Sequence, residues 1–219
     1  SEMCIRDRIS TISDLDQDRF VDQIIVKPDF TITGKKSISK VKLSNEQGLE
    51  NAIDLALLSS GNKYVEVEEF IEGYDCTYLT WIKNGIPSIL LSWDELNSYD
   101  ENNYLYQIGV SMPSISLFIN HSEKILQIIN KFAKFFPDVY SLLAFSFIVD
   151  ERGYPFLIEL HADLTGDQIL DKLAPVVTNS DALLEIVKLL INKNSNLSSC
   201  LNKFSKQKPS ALIYENNLK

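Results

Sequence analysis

Ile24-Ile25-Val26-Lys27-Pro28, followed by the loop Thr31-Ile32-Thr33-Gly34-Lys35-Lys36-Ser37, is the stretch on which the reading of this chain turns. Three β-branched residues in a row predict a strand, and Pro28 ends its ladder because it has no N–H to donate. Lys27 either snorkels out of such a strand or meets an anion, because an unpaired buried ammonium is costly. The loop offers small donors, one glycine and two lysines, and its backbone N–H groups could cradle phosphate oxygens. It lacks the spacing of a P-loop, and taken alone it reads as well as a surface turn. Further on, Val65-Glu66-Val67-Glu68-Glu69-Phe70-Ile71-Glu72-Gly73 predicts a second strand. Its carboxylates and main chain suit an adenine edge, with Ile71 against the ring, or they are solvated glutamates of an alternating strand.

Around these two segments the punctuation is regular. Ser39–Lys42 predicts a return strand. Ser44 with Gln47 has capping-box spacing before a helix whose inward face is Leu49, Ile53, Ala56 and Leu57, stopping near Ser59-Ser60-Gly61. Asn84-Gly85 between 75–83 and 86–93 is a strong hairpin signal. A looser polar segment, 94–103, leads to an apolar piece at 104–110. An amphipathic helix is expected over 122–136, then a second hairpin pairing 143–150 with 154–160. Two further helices are expected at 167–173 and 181–191, then a polar tail with one short strand near 210–214. This hairpin-rich order predicts an α+β fold with largely antiparallel sheets rather than a doubly wound one.

The chain has 219 residues, 45% hydrophobic and 23% charged, as expected of a globular protein with one core or two small lobes. A net charge of −9 argues against nucleic acid or an anionic membrane as the main partner. Three cysteines without CxxC spacing point to a reduced compartment, and the cytoplasm is the expected location. No apolar run approaches the length of a membrane span. Arginine is scarce (Arg6, Arg8, Arg19 and Arg152), so an anion site must rely on lysine and backbone N–H groups. Residues 1–8 resemble translated sequencing-adapter bases. They are set aside from the fold as non-native, with the natural protein expected to begin upstream.

Near the C-terminal end, Pro155-Phe156-Leu157-Ile158-Glu159-Leu160-His161 places a carboxylate and an imidazole on one face of an apolar strand. Glu159 and Asp167 are the metal candidates, since hard oxygen ligands beside phosphates suit Mg²⁺. His161 is either a ligand, favouring Mn²⁺, or a satisfied histidine. Asp75 either accepts a ribose hydroxyl or is a turn residue.

In order and spacing, residues 20–192 resemble the ATP-grasp superfamily of carboxylate–amine ligases. The resemblance matches Lys27-Pro28 to the strand lysine that contacts ATP phosphates, and Thr33 to Ile38, with Lys35, Lys36 and Ser37, to the lid loop. Glu68, Glu69, Phe70 and Ile71 match the adenine hinge, and Asp75 stands where a Glu is common. Glu159 matches a metal ligand, while His161 replaces an Asn, Asp163 an Arg and Ser146 a carboxylate. What the resemblance implies is two lobes enclosing a nucleotide cleft: 24–67 as the small lobe and 68–192 as the large one, after a 9–23 linker and before a 193–219 tail. It further implies ATP and Mg²⁺ or Mn²⁺ as cofactors and a small carboxylate and an amine as substrates. Lys27 and Glu159 would be catalytic, Glu159 and His161 metal-binding. The altered positions leave open an ATP-binding or structural module without catalysis.

Overall fold

The computed structural model describes residues 6–31, 37–137, 140–166, 168–191, 197–205 and 207–214. The chain divides into two compact units, Ser1–Ile71 with Asn97–Ile108, and Glu72–Leu96 with Gly109–Lys219.

The first unit is built on strands β1 (Arg6–Ile9), β2 (Gln23–Pro28) and β3 (Ser39–Lys42), helix α1 (Glu46–Ser59) and strand β4 (Val65–Glu69). The strands form an antiparallel sheet in the order β1-β4-β2-β3. Alternation decides what each face does. Ile24 and Val26 of β2, Val41 of β3, and Val65 and Val67 of β4 pack against Leu49, Ala52, Ile53 and Ala56 of α1. Each fully buried aliphatic side chain is worth about 1.5–3 kcal/mol, so this layer holds the unit together. The intervening residues, Lys27, Glu66 and Glu68, share the opposite face.

Three details differ from expectation. Residues 6–8, within the segment 1–8 set aside as non-native, form edge strand β1 together with Ile9. Residues 9–23, expected as a linker, carry Ile9, Leu15 and Phe20 into the core through two 3₁₀ turns. The helix cap is Asn45, whose side chain accepts from the Gly48 N–H at 3.1 Å, and the Ser44 hydroxyl bonds Asp22 instead. Asn caps a helix as well as Ser does, so a one-residue shift costs little.

A six-stranded sheet in the order β10-β7-β6-β5-β8-β9 lies mostly in the second unit, residues 97–99 of β6 and 105–108 of β7 being counted in the first. Its strands are β5 (Gly73–Lys83), β6 (Ile86–Tyr99), β7 (Leu105–Met112), β8 (Tyr140–Asp150), β9 (Pro155–His161) and β10 (Ser210–Ile213). Asn84 and Gly85, at φ 51° and 74°, make the left-handed two-residue turn that the hairpin needs. Both faces of the sheet are covered. On one lies α2 (Ser122–Ala133), with Ile125, Ile129 and Ala133 against Tyr78, Phe145 and Phe147. On the other, Leu79, Trp93 and Ala144 meet a π-helical turn, Ile169–Leu173, followed by α3 (Ala174–Thr178), α4 (Ala182–Ile191) and α5 (Leu197–Phe204). Helix α5 lies in the tail expected to be mostly irregular; Cys200 and Phe204 anchor it. Among the described residues, no helix is long and apolar enough to cross a membrane.

A buried polar cluster ties β6 to the segment before α2. The Asp94 carboxylate accepts from the Ser114 hydroxyl at 2.5 Å and the Ile115 N–H at 2.8 Å, and Ser116 links Ser114 to the Tyr78 hydroxyl. Burial pushes the Asp94 carboxyl above its ordinary pKa, against these hydrogen bonds, which pull it down. Removing the acceptor strands several buried donors. Asp94→Ala should therefore cost about 3 kcal/mol in urea denaturation. Asp94→Asn, which keeps one acceptor oxygen, should cost less.

Candidate functional site

In the first unit, the sheet face opposite α1 carries a row of alternating charges. Lys27 stands opposite Glu66 across the β2–β4 pair, and Arg6 stands opposite Glu68 across β1–β4. The Lys27 ammonium is 2.9 Å from Glu68 and 3.3 Å from Glu66. The Arg6 guanidinium pairs with Glu68 and lies 3.5 Å from Glu66. Lys27 sits on an interior strand, and its side chain is 16% exposed. The strand lysine picked from sequence thus meets anions of its own chain. Two cations and two carboxylates leave this row neutral, and breaking such a partly buried cluster by removing one member typically costs about 3–5 kcal/mol.

The hinge candidates do not act as one group. Glu68 is ion-paired with Lys27 through Oε2 and with Arg6 on the side of Oε1, although Oε1 makes no well-aligned hydrogen bond among the described residues. Glu69 stands opposite Ile24, whose side chain belongs to the α1 side, so it is turned away from Glu68. Phe70 donates its N–H to the Gln23 carbonyl, and the Lys40 ammonium lies 3.6 Å from its ring centroid, a cation–π contact. Ile71 is half-buried and closes the first unit. The Ser37 hydroxyl is 2.6 Å from that of Ser59, which ties the end of the loop to the last turn of α1. Lys35 and Lys36 lie outside the described residues.

In the second unit, the sheet face that carries α3–α5 continues into a polar end. There Thr77 bridges the Ser146 hydroxyl, 2.9 Å away, and the Glu95 carboxylate at 3.2 Å. Ser146 stands opposite Glu159, and Ala144 opposite His161. A β-bulge between the Ser146–Glu159 and Phe147–Leu157 pairs sets this arrangement. Leu157 belongs to the α2 side, and an unbroken strand would send Glu159 to that side too. The extra residue, Ile158, reverses the phase and turns Glu159 and His161 toward Ser146. β9 is the sheet edge, and the Glu159 side chain is 52% exposed. Asp75 lies on β5 opposite Glu95.

His161 Nε2 is 2.9 Å from Glu159 Oε1. That hydrogen bond raises the imidazole above its ordinary pKa; burial opposes the rise, and the charges of Glu159, Asp163 and Glu95 add to it. Among the described residues, no three His, Cys, Asp or Glu side chains are grouped to hold a metal ion. The oxygen donors present, the Glu159 carboxylate and the Ser146 hydroxyl, fit Mg²⁺ only in its usual manner beside nucleotides, where one or two carboxylates are joined by waters and phosphates. Asp167 lies outside the described residues.

No protein-family model matches the sequence, and no curated protein does. Solved structures do match. The L-amino acid ligase from Bacillus licheniformis aligns with a TM-score of 0.63 at 16% identity, covering 86% of this chain and 43% of the ligase. The D-alanine–D-alanine ligase from Bacillus anthracis gives 0.55 at 17% identity, covering 93% of this chain and 60% of that one. The biotin carboxylase domain of the 2-oxoglutarate carboxylase from Hydrogenobacter thermophilus, solved with MgADP and bicarbonate, gives 0.53 at 21% identity, covering 69% and 33%. These structures share one architecture. The chain has the ATP-grasp fold. It spans less than two thirds of each of these proteins.

Within this fold, the sequence reading passed over Arg6, Glu66, Thr77 and Glu95. Parity along β4 could have exposed Glu66, which is two residues before Glu68 and so shares its face. Nothing local announces Glu95, which reaches the polar end only because β6 pairs with β5 in this register.

The His161–Glu159 pair has a pH signature. A raised histidine pKa means its stabilisation is complete below about 6.5 and lost as the pH rises through the folded value. The His161 imidazole should titrate above 6.5 by NMR, and Glu159→Gln should lower that midpoint. An identical midpoint in the variant would mean the pair does not form in solution.

Proposed function

We propose that this chain carries the nucleotide-binding part of an ATP-dependent carboxylate–amine ligase. In that reaction the γ-phosphoryl group of ATP passes to a substrate carboxylate, giving an acyl phosphate and ADP. An amine then attacks the acyl carbon, an amide forms, and phosphate leaves. The observation carrying this reading is the placement of Lys27 and Glu159. Lys27 lies on the sheet face opposite α1, and Glu159 lies at the polar end of the face that carries α3–α5, on an ATP-grasp scaffold whose structural neighbours are ligases and carboxylases. Lys27 would neutralise phosphate charge, exchanging its carboxylate partners for phosphate oxygens. Lys35, Lys36 and Ser37 would line the same phosphates. Phe70, Ile71 and the main chain of Glu68 and Glu69 would take the adenine, and Asp75 the ribose.

Glu159 would hold the divalent ion, with His161 joining it only for a softer ion such as Mn²⁺. The ion would supply charge neutralisation on the phosphates. Lys27→Met should weaken ATP binding by about 1–3 kcal/mol, the range for a charged hydrogen bond, while Lys63→Ala in an exposed turn should change nothing. Calorimetric titration of both variants, with melting curves to check folding, decides it; equal losses would remove Lys27 from the phosphates. Glu159→Gln should abolish any dependence of nucleotide binding on Mn²⁺ or Mg²⁺. Persisting dependence would move the ion elsewhere.

A second reading is an ATP-binding module without ligase chemistry. It is favoured by Ser146 opposite Glu159, by Asp163 at a position where the resemblance implies arginine, and by the compensated charge of Lys27. Phosphate release from ATP, screened with amino acids as acceptors, separates the two: the ligase reading requires acceptor-dependent release.

A further inference from the structure

The first unit contains a cavity of about 330 Å³ between the exposed edge of β3, the first turns of α1 and the turn at Asn102–Tyr104. None of Lys27, Glu68, Glu69, Phe70 or Ile71 lines it. The turn is clamped to the strand. Lys40 donates its N–H to the Asn103 carbonyl, Ser39 bridges Tyr104, and the Asp100 carboxylate holds the N–H groups of Asn102 and Tyr104. The walls are therefore set before any ligand arrives.

The lining chemistry is one-sided. The chain carries 30 acidic residues and a net charge of −9, yet among the described residues no Asp or Glu lines this cavity. Lys40 and Lys42 do, with side-chain amides from Gln23, Asn45 and Asn103 among others. The Lys40 ammonium is taken by Phe70, whereas Lys42 makes no ion pair among the described residues. The cavity also opens on the N-terminal turn of a 14-residue helix, where the macrodipole favours negative charge. Gly48 is fitted to this arrangement: a Cβ there would come within 2.4 Å of Asn45 Nδ2, displacing the side chain that caps the helix. A separate observation points to a ligand. Ser39 lines the cavity, is 2% exposed, and its hydroxyl has no hydrogen-bond partner among the described residues. Buried hydroxyls are normally satisfied, and its main chain is already committed to β2 and to Tyr104.

We propose that this cavity is a second binding site, for a small metabolite bearing a phosphate or carboxylate group. Lys42 and the helix N-terminus supply the attraction, and the amides and the Ser39 hydroxyl supply the hydrogen bonds. At about 330 Å³ it lies at the small end of ligand pockets. The lack of any lining carboxylate argues for an oxyanion over a neutral sugar, which would be as well served by acceptors.

The test is an NMR titration of the full chain with inorganic phosphate, acetate and ribose in separate arms. Phosphate or acetate should shift the amides of Ser39, Gly48 and Asn103 saturably, and whichever of the two binds tighter identifies the anion. Lys42→Gln should weaken that binding about tenfold, as expected for a charged hydrogen bond. Lys42 is exposed at the end of β3, so the change leaves the core intact. Ser39→Ala should weaken it as well. Shifts confined to Lys27 and Glu68, shifts that never saturate, an affinity indifferent to Lys42→Gln, or binding of ribose alone would each overturn the proposal.

Discussion

A strand alternates its side chains, so a sheet that buries one face must do something else with the other. In the first unit Ile24, Val26, Val65 and Val67 of β2 and β4 are spent on α1, and the residues between include Lys27, Glu66 and Glu68. Their charges are close together and partly removed from water, where attraction between opposite charges is strong and an unpaired charge is expensive. Compensation is the result. Lys27 is held between two glutamates, and Arg6 completes the neutral set.

That compensation shapes what the face can do. A lysine already paired holds its position without a ligand, so on the proposed reading an arriving phosphate would meet a fixed charge. The same partners must be released or shared when it arrives, which lowers the net gain. On the proposed reading, this row would take up phosphate by exchange of partners.

The second unit reaches its polar end by another route. Its sheet is buried on both faces along most of its length, by α2 on one and α3–α5 on the other. Where the helices stop, Thr77, Glu95, Ser146, Glu159 and His161 remain. Glu159 and His161 belong to this group because one bulged residue, Ile158, resets the phase of β9. The edge position of that strand permits it, because only one side of the ladder has to absorb the irregularity.

Much of this was legible in the residues themselves. The apolar run before Pro28, the Asn84-Gly85 turn and the 3.6-residue period of α1 and α2 follow from local sterics and periodicity, so the α+β class and most elements could be read directly. Lys27 and Glu159 stood out because each interrupts an apolar strand. Pairing across strands was not legible. No local signal says that Lys27 lies between Glu66 and Glu68, that Arg6 returns to the same carboxylate, or that Glu95 lies within reach of Thr77. Those contacts depend on which strands become neighbours and in what register. Register is fixed by burying hydrophobic faces over the whole unit, a property that only the tertiary structure possesses.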